Sequence, residues 1–213
     1  MLVSMLERRA LRHMRAGRYE KAERDFERIR HRRPYRSGIN YNIGLVKLAQ
    51  RNFEAAETLL ADVVQRYGES CGRLRALGDV YYLWGKREPA LHYYQRARRL
   101  CKAEEALALL ERRIEHCSSD ATFQRVLESD RLFSEGNESL RLKDYPRAKE
   151  QFERALECDP TNYHALNNLG AIMLSRERRP TEAAEYFERA TELSDVPSIA
   201  ENLRRARRRA RSR

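Results

Sequence analysis

Four cysteines, five histidines and a run of arginines at one end are the residues of this chain best equipped for chemistry. Thiolates at Cys71, Cys101, Cys117 and Cys158 could ligate zinc, but their spacing argues against it. There is no CxxC, and only His116 stands at a ligand-like interval, directly beside Cys117. Adjacent residues on a helix point about 100° apart, a poor start for shared coordination. The thiols read as buried or neutral groups in a reducing compartment, and no metal or cofactor is expected. A Gly-rich phosphate loop, an HExxH motif and a nucleophile–base constellation are all missing from the sequence. Glu and Arg recur at i, i+4, as in Glu20/Arg24 and Glu150/Arg154, and this spacing suits helix-stabilising ion pairs rather than acid–base work. The expectation is a protein that is not an enzyme.

Charge is the other chemical asset. Formal net charge is +11, unevenly spread. Residues 1–36 carry 12 basic and 5 acidic side chains, and residues 204–213 hold 7 arginines and no acid. The body between is close to neutral. Arg204, Arg205, Arg207, Arg208 and Arg209 could therefore meet nucleic acid or another polyanion. No reading motif and no aromatic-plus-basic stacking face accompanies them in the sequence. Solvated terminal helices, kept from stacking by their charge, are the plainer reading. No apolar run approaches the length of a membrane span. The start, MLVSMLERRALRH, has about six mostly apolar residues before charge begins, too few for a secretory signal. A cytoplasmic protein is expected.

Charged side chains thus have to be carried on elements that bury little. With 35% charged residues, 8% aromatics, 9 Gly and 6 Pro, the composition favours helix almost everywhere. It suits a stack of helix pairs, each burying one face, better than one thick core. The stretch 129–162 shows the unit: two helical runs joined at Lys143-Asp144-Tyr145 and closed by Asp159-Pro160. Small residues at Gly136, Ala148 and Ala155 let antiparallel helices approach, and Leu132, Tyr145 and Phe152 fill the space beside them. Residues 37–70 repeat it with Gly44, Phe53, Ala56 and Leu60, and 71–104 with Leu74, Leu77, Gly78, Ala90, Tyr94 and Ala97. Residues 163–197 do so with Leu166, Leu169, Gly170, Ala183, Phe187 and Ala190, plus one inserted residue in the turn. Residues 3–36 keep Tyr19, Ala22, Phe26 and Pro34, with Ala10 for the glycine.

This period-34 pattern resembles the tetratricopeptide repeat (TPR). The resemblance implies an all-α helical-repeat solenoid, a right-handed superhelix. It places repeats at 3–36, 37–70 and 71–104 in an N-terminal block of 1–104. A helical connector at 105–128 follows, then repeats 129–162 and 163–197, and a capping helix at 198–213 that carries the arginine run. Between Pro89 and Cys117 nothing breaks the helical pattern, so either one helix of nearly 30 residues or a bent pair is expected there. Ser198 and Glu201 would form a capping box.

The resemblance also implies a function: binding a protein or peptide along a concave groove lined by the first helices. The second, fifth, sixth, ninth and twelfth positions of each unit would face it. In the N-terminal block these include Glu7, Arg8, Leu11, Tyr41, Asn42, Leu45, Arg75, Asp79 and Tyr82. In the C-terminal block they include Asp130, Phe133, Asn137, Leu140, His164, Asn167, Asn168 and Ala171. Asparagine amides, with a donor and an acceptor, can hold an extended backbone on both sides. The carboxylate clamp of the family's chaperone-binding subgroup is not expected, because Phe133 occupies its lysine position. The gapless N-terminal groove is the favoured site, with Tyr41 and Tyr82 as aromatic anchors. Residues 105–117 folding back into that groove are the alternative occupant.

Overall fold

The computed structural model describes residues 2–33, 37–194 and 196–211. Pro34, expected to close the first repeat, and Arg213 of the arginine run lie outside the described residues. Among the described residues the chain is helical throughout, and it divides into two compact units, Met1–Asp120 and Ala121–Arg213. The division falls within the segment 105–128.

Unit 1 contains α1 (Leu2–Arg15), α2 (Tyr19–Arg32), α3 (Ser37–Ala49), α4 (Phe53–Tyr67), α5 (Cys71–Leu83), α6 (Arg87–Leu100) and α7 (Glu104–His116). Consecutive helices pack as hairpins, and α3 and α5 also touch as neighbouring first helices. The close approach anticipated at the glycines is real. A Cβ on Gly78 would stand 2.5 Å from Tyr94 Cε1, and one on Gly44 2.8 Å from Leu60 Cγ. Ala10, in the glycine's place, is itself fully buried. Arg9 forks onto the buried Asp25 at 2.6 and 2.7 Å, tying α1 to α2. Its hydrogen bonds hold the Asp25 carboxyl below the usual range against the opposing effect of burial.

Between Pro89 and Cys117 the structure has two helices rather than one. Cys101 and Ala103 take extended backbone, ending α6 and starting α7. Neither Pro nor Gly was needed. Arg98 and Arg99 close α6 while Glu104 and Glu105 open α7, and each charge pair complements the dipole of its helix end.

Unit 2 takes up α8 (Asp120–Arg141), α9 (Tyr145–Cys158), α10 (Tyr163–Ile172), α11 (Pro180–Leu193) and α12 (Pro197–Arg211). A Cβ on Gly136 would meet Phe152 Cε1 at 2.5 Å, and one on Gly170 would meet Phe187 Cε1 at 2.8 Å. Ser129 Oγ donates to Ala155 O at 2.8 Å and accepts from Asn162 Nδ2 at 3.1 Å, a buried tie across the repeat. The expected capping box is not the start of α12. Pro197 is already its first helical residue, where a missing N–H costs nothing, so Ser198 lies inside the helix.

The turns within repeats share one backbone device. Gly17, Arg51, Gly85, Lys143 and Arg178 all have positive φ, between 55° and 81°. In the first four, the next residue's N–H reaches five residues back: Arg18 to His13, Asn52 to Lys47, Lys86 to Tyr81 and Asp144 to Ser139. This is the Schellman closure. In the fifth, Arg179 reaches six back, to Met173, across a π-helical turn at Met173–Glu177. The inserted residue of that repeat is absorbed as a π-turn, a common fate of single insertions.

Candidate functional site

On the first-helix face of unit 1, Arg8 is exposed and Glu7 and Leu11 are half-buried on α1. Leu11 rests on the core beneath α1–α3. Tyr41, Asn42 and Leu45 are half-buried on α3, with Tyr41 and Leu45 against the next core cluster. The Tyr41 hydroxyl donates to Gly72 O at 3.4 Å, and burial pushes its pKa up. Arg75 and Asp79 are near enough to act on that hydroxyl with opposite sign. Tyr41, Arg75 and Asp79 are thus neighbours across α3 and α5.

Tyr82 does not join them as an open anchor. It is fully buried, and α7 covers it. The Arg113 guanidinium lies 4.2 Å above its ring, and its hydroxyl is 3.0 Å from His116 Nδ1. Asp79 sits beside this cluster and accepts a hydrogen bond from the buried Tyr94 hydroxyl at 2.8 Å. Desolvation raises the Asp79 carboxyl, against the pull of Arg113 and the Tyr94 bond. Position twelve is buried in three of the five repeats, here at Tyr82, and half-buried at Met14 and Leu140. Leu48 and Leu174, at the same position, are buried too. The neighbour of Tyr82, Tyr81, is half-buried instead.

Unit 2 presents a different face. Asn202 Nδ2 donates to Asn167 Oδ1 at 3.0 Å, Asn167 Nδ2 to Asn168 Oδ1 at 3.3 Å, and Asn168 Nδ2 to Asn137 Oδ1 at 2.8 Å. A ladder of neutral amides thus runs from α12 through α10 to α8. One helical turn before it, the rings of Phe133 and His164 face each other at 5.7 Å. Since i and i+4 share a helix face, Phe133 leads to Asn137 and His164 to Asn168, giving a ring pair followed by an amide pair. Asp130 and Leu140 are half-buried and Ala171 exposed on the same helices. Asn202 was missed by the sequence reading. The signal was present, since Asn202 follows Asn167 by about one repeat, marking α12 as the first helix of a further unit.

Unit 1 also carries an aromatic row that the sequence did not reveal. Phe53 stacks on Trp84 at 5.9 Å, Trp84 on Tyr81 at 6.4 Å and Tyr81 on Tyr93 at 5.4 Å. Arg51, Lys86 and Arg96 lie over its rings. The rings face one another, so their π-faces are largely taken by neighbours rather than offered to a base. On α12, Arg204 and Arg208 turn to Glu201, Arg207 to Glu188, and Arg209 reaches Leu174 O, while Arg205 is exposed. Among the described residues no three His, Cys, Asp or Glu side chains could hold a metal ion. Nor is any helix long and apolar enough to cross a membrane.

A family model, the tetratricopeptide repeat, matches residues 8–70 and 133–196. Comparison with curated proteins gave no match. Among solved structures, a chain of the APC/C hetero-tetramer Cut9–Hcn1 aligns with 96% of this chain at 13% identity and a TM-score of 0.52. This chain spans 42% of that one. The TPR2AB domain of yeast Sti1, solved with pHSP90, aligns over 96% of this chain and 98% of its own at 13% identity, TM-score 0.49. YrrB, described as a TPR protein with an unusual peptide-binding site, aligns over 94% and 90% at 18% identity, TM-score 0.46. At such identities the likeness is one of fold alone. With more than half of its residues matched by the family model, and its helix pairs in the repeat's register, the chain belongs to the tetratricopeptide repeat family.

Proposed function

We propose that this chain is a non-catalytic protein-interaction scaffold that holds an extended segment of a partner across the asparagine ladder of unit 2. The ladder is the observation that carries the reading. Each amide uses part of its hydrogen-bonding capacity on its neighbour, and the rest suits the N–H and C=O groups of an extended backbone. Phe133 and His164 supply apolar area beside it, where an anchoring side chain would lose water. The face of unit 1, with Arg8, Leu11, Tyr41, Asn42, Leu45 and Arg75, is a second surface. It is the lesser one, because Tyr82 is spent on internal packing.

Affinity capture from the source cell, followed by peptide mapping, supplies the ligand for a calorimetric titration. Asn168→Ala is expected to weaken binding by about 1–3 kcal/mol through an unpaired partner amide, while Asn42→Ala leaves it unchanged. Equal affinity for wild type and Asn168→Ala sinks this assignment, and a loss confined to Asn42→Ala moves the site to unit 1. Polyanion binding through Arg204, Arg205, Arg207, Arg208 and Arg209 is the second reading, favoured by their collection on the exposed side of α12. Repeating the titration at rising salt separates the two, since phosphate contacts weaken steeply and backbone pairing little.

A further inference from the structure

Cys71 opens α5 and Cys101 caps α6, so the antiparallel hairpin brings the two together at its open end. Their sulfurs stand 2.6 Å apart, both thiols are free, and both are partly exposed. A bonded pair stands about 2.05 Å apart, so ring closure needs little movement. Beside Cys101 opens a cleft of about 640 Å³, lined by Gln95, Arg98, Arg99, Leu107 and Glu111. Arg98 is shared with Glu111 at 3.2 Å, whereas Arg99 is exposed on the same helix end. The cleft can admit a small anionic molecule to one sulfur of the pair.

The geometry points to a reversible disulfide between Cys71 and Cys101, formed by exchange with a small acidic disulfide of the glutathione type. The Cys101 thiolate attacks one sulfur of the oxidant, forming a mixed disulfide and releasing one glutathione thiolate, which takes up the proton Cys101 lost. Cys71 then gives up its proton as its sulfur attacks Cys101 Sγ, breaking the mixed disulfide and releasing the second glutathione. Two protein thiols are oxidised and one small disulfide becomes two thiols. Burial and the neighbouring Cys101 push the Cys71 thiol up to about 11, which makes it the poorer first attacker; its attack belongs to the second step, where Cys101 Sγ already stands beside it.

The position of the bridge gives it a consequence. Two residues, Lys102 and Ala103, separate Cys101 from α7, the helix whose Arg113 and His116 cover Tyr82. Oxidation therefore ties the root of that cover to α5.

The test is incubation of the full chain with glutathione disulfide, followed by alkylation, intact mass and peptide mapping. The expected result is loss of two of the four thiols, no retained glutathione, and one linked peptide pair joining Cys71 to Cys101. The Cys117→Ala/Cys158→Ala double variant should behave the same way. Cys71→Ser should instead stop at a glutathione adduct on Cys101. In the oxidised protein, amide exchange across α7 should slow relative to the reduced one. A linked pair involving Cys117 or Cys158, a lasting glutathione adduct on wild type, or four unreacted thiols would each overturn the assignment. Unchanged exchange in α7 would overturn its effect on the cover.

Discussion

Units 1 and 2 are built from the same helix hairpin, yet their first-helix faces end in opposite chemistry. In unit 1 the end is a charged and aromatic cluster, Asp79, Tyr82, Tyr94, Arg113 and His116, shut under α7. In unit 2 it is a row of neutral amides that α12 extends through Asn202. The framework is set by small-against-large pairs such as Gly78 on Tyr94 and Gly136 on Phe152, and it leaves the face free to vary. A face that buries an aromatic contributes to folding; one that carries hydrated amides is free to exchange water for a partner.

The widest separation between the two faces should appear on truncation. Tyr82→Ala empties a fully buried ring site and is expected to cost about 3–5 kcal/mol of stability. Asn168→Ala, on a half-buried amide with one neighbouring bond at each end, should cost about 1 kcal/mol. Denaturant titration of both variants, with hydrogen exchange to assign the loss to its unit, checks this. If Tyr82→Ala is as mild as Asn168→Ala, the cover over unit 1 is loose and the contrast between the faces fails.

Much of this was legible because the repeat is written in residue size. Gly44, Gly78, Gly136 and Gly170 each lie under the large side chain of the paired helix, and that spacing alone set the register. The face was harder to read. Position twelve lies three residues beyond position nine, about 60° round the helix, and whether it opens to the groove depends on the next first helix. Residues 104–116 lack the repeat's glycine and aromatic, so the repeat pattern did not place them, and their folding back onto the groove stood only as the alternative to a partner; it is Tyr82 that they cover. Asn202 sat in a segment dominated by arginine, where charge obscured the repeat's period. The positive φ at Arg51, Lys143 and Arg178 has no side-chain signature, because arginine and lysine adopt it only when the hairpin demands it.

Acidity gives a second, smaller contrast. Desolvation keeps the Asp79 carboxyl above the usual range, so the folded chain holds that proton to higher pH than the unfolded chain. The stability this contributes is full below the unfolded carboxyl's pKa and is lost as pH rises through the folded one. Asp79→Asn keeps an acceptor for the Tyr94 hydroxyl and removes the desolvated charge. A gain on the order of 1 kcal/mol near pH 7 is expected, shrinking towards acid pH. The four amides of the ladder do not titrate, so the cost of Asn168→Ala should vary less between about pH 5 and pH 8 than the effect of Asp79→Asn. Parallel denaturant titrations across that range decide it. A flat Asp79→Asn difference would mean that Asp79 is effectively solvated and the cluster under α7 open to water.

The smallest effect tests what the units share. Arg51 in unit 1 and Lys143 in unit 2 both hold the left-handed conformation, with φ of 60° and 62°. Their Cβ atoms strain against the backbone there, whereas Gly17 and Gly85 serve the same turn with none. Replacing either by glycine relieves that strain and gives back part of the gain as unfolded-chain entropy. The net expectation is a stabilisation on the order of 0.5–1 kcal/mol, similar in the two units because the Schellman closure is the same in both. Arg51 also lies 5.3 Å from the Phe53 ring, a cation–π contact that Arg51→Gly surrenders, so Arg51→Gly should gain slightly less than Lys143→Gly. Thermal melts of the two variants read these differences. A loss of stability at Lys143→Gly would show that its turn is held by the side chain rather than tolerated by it, and the common turn would no longer be common.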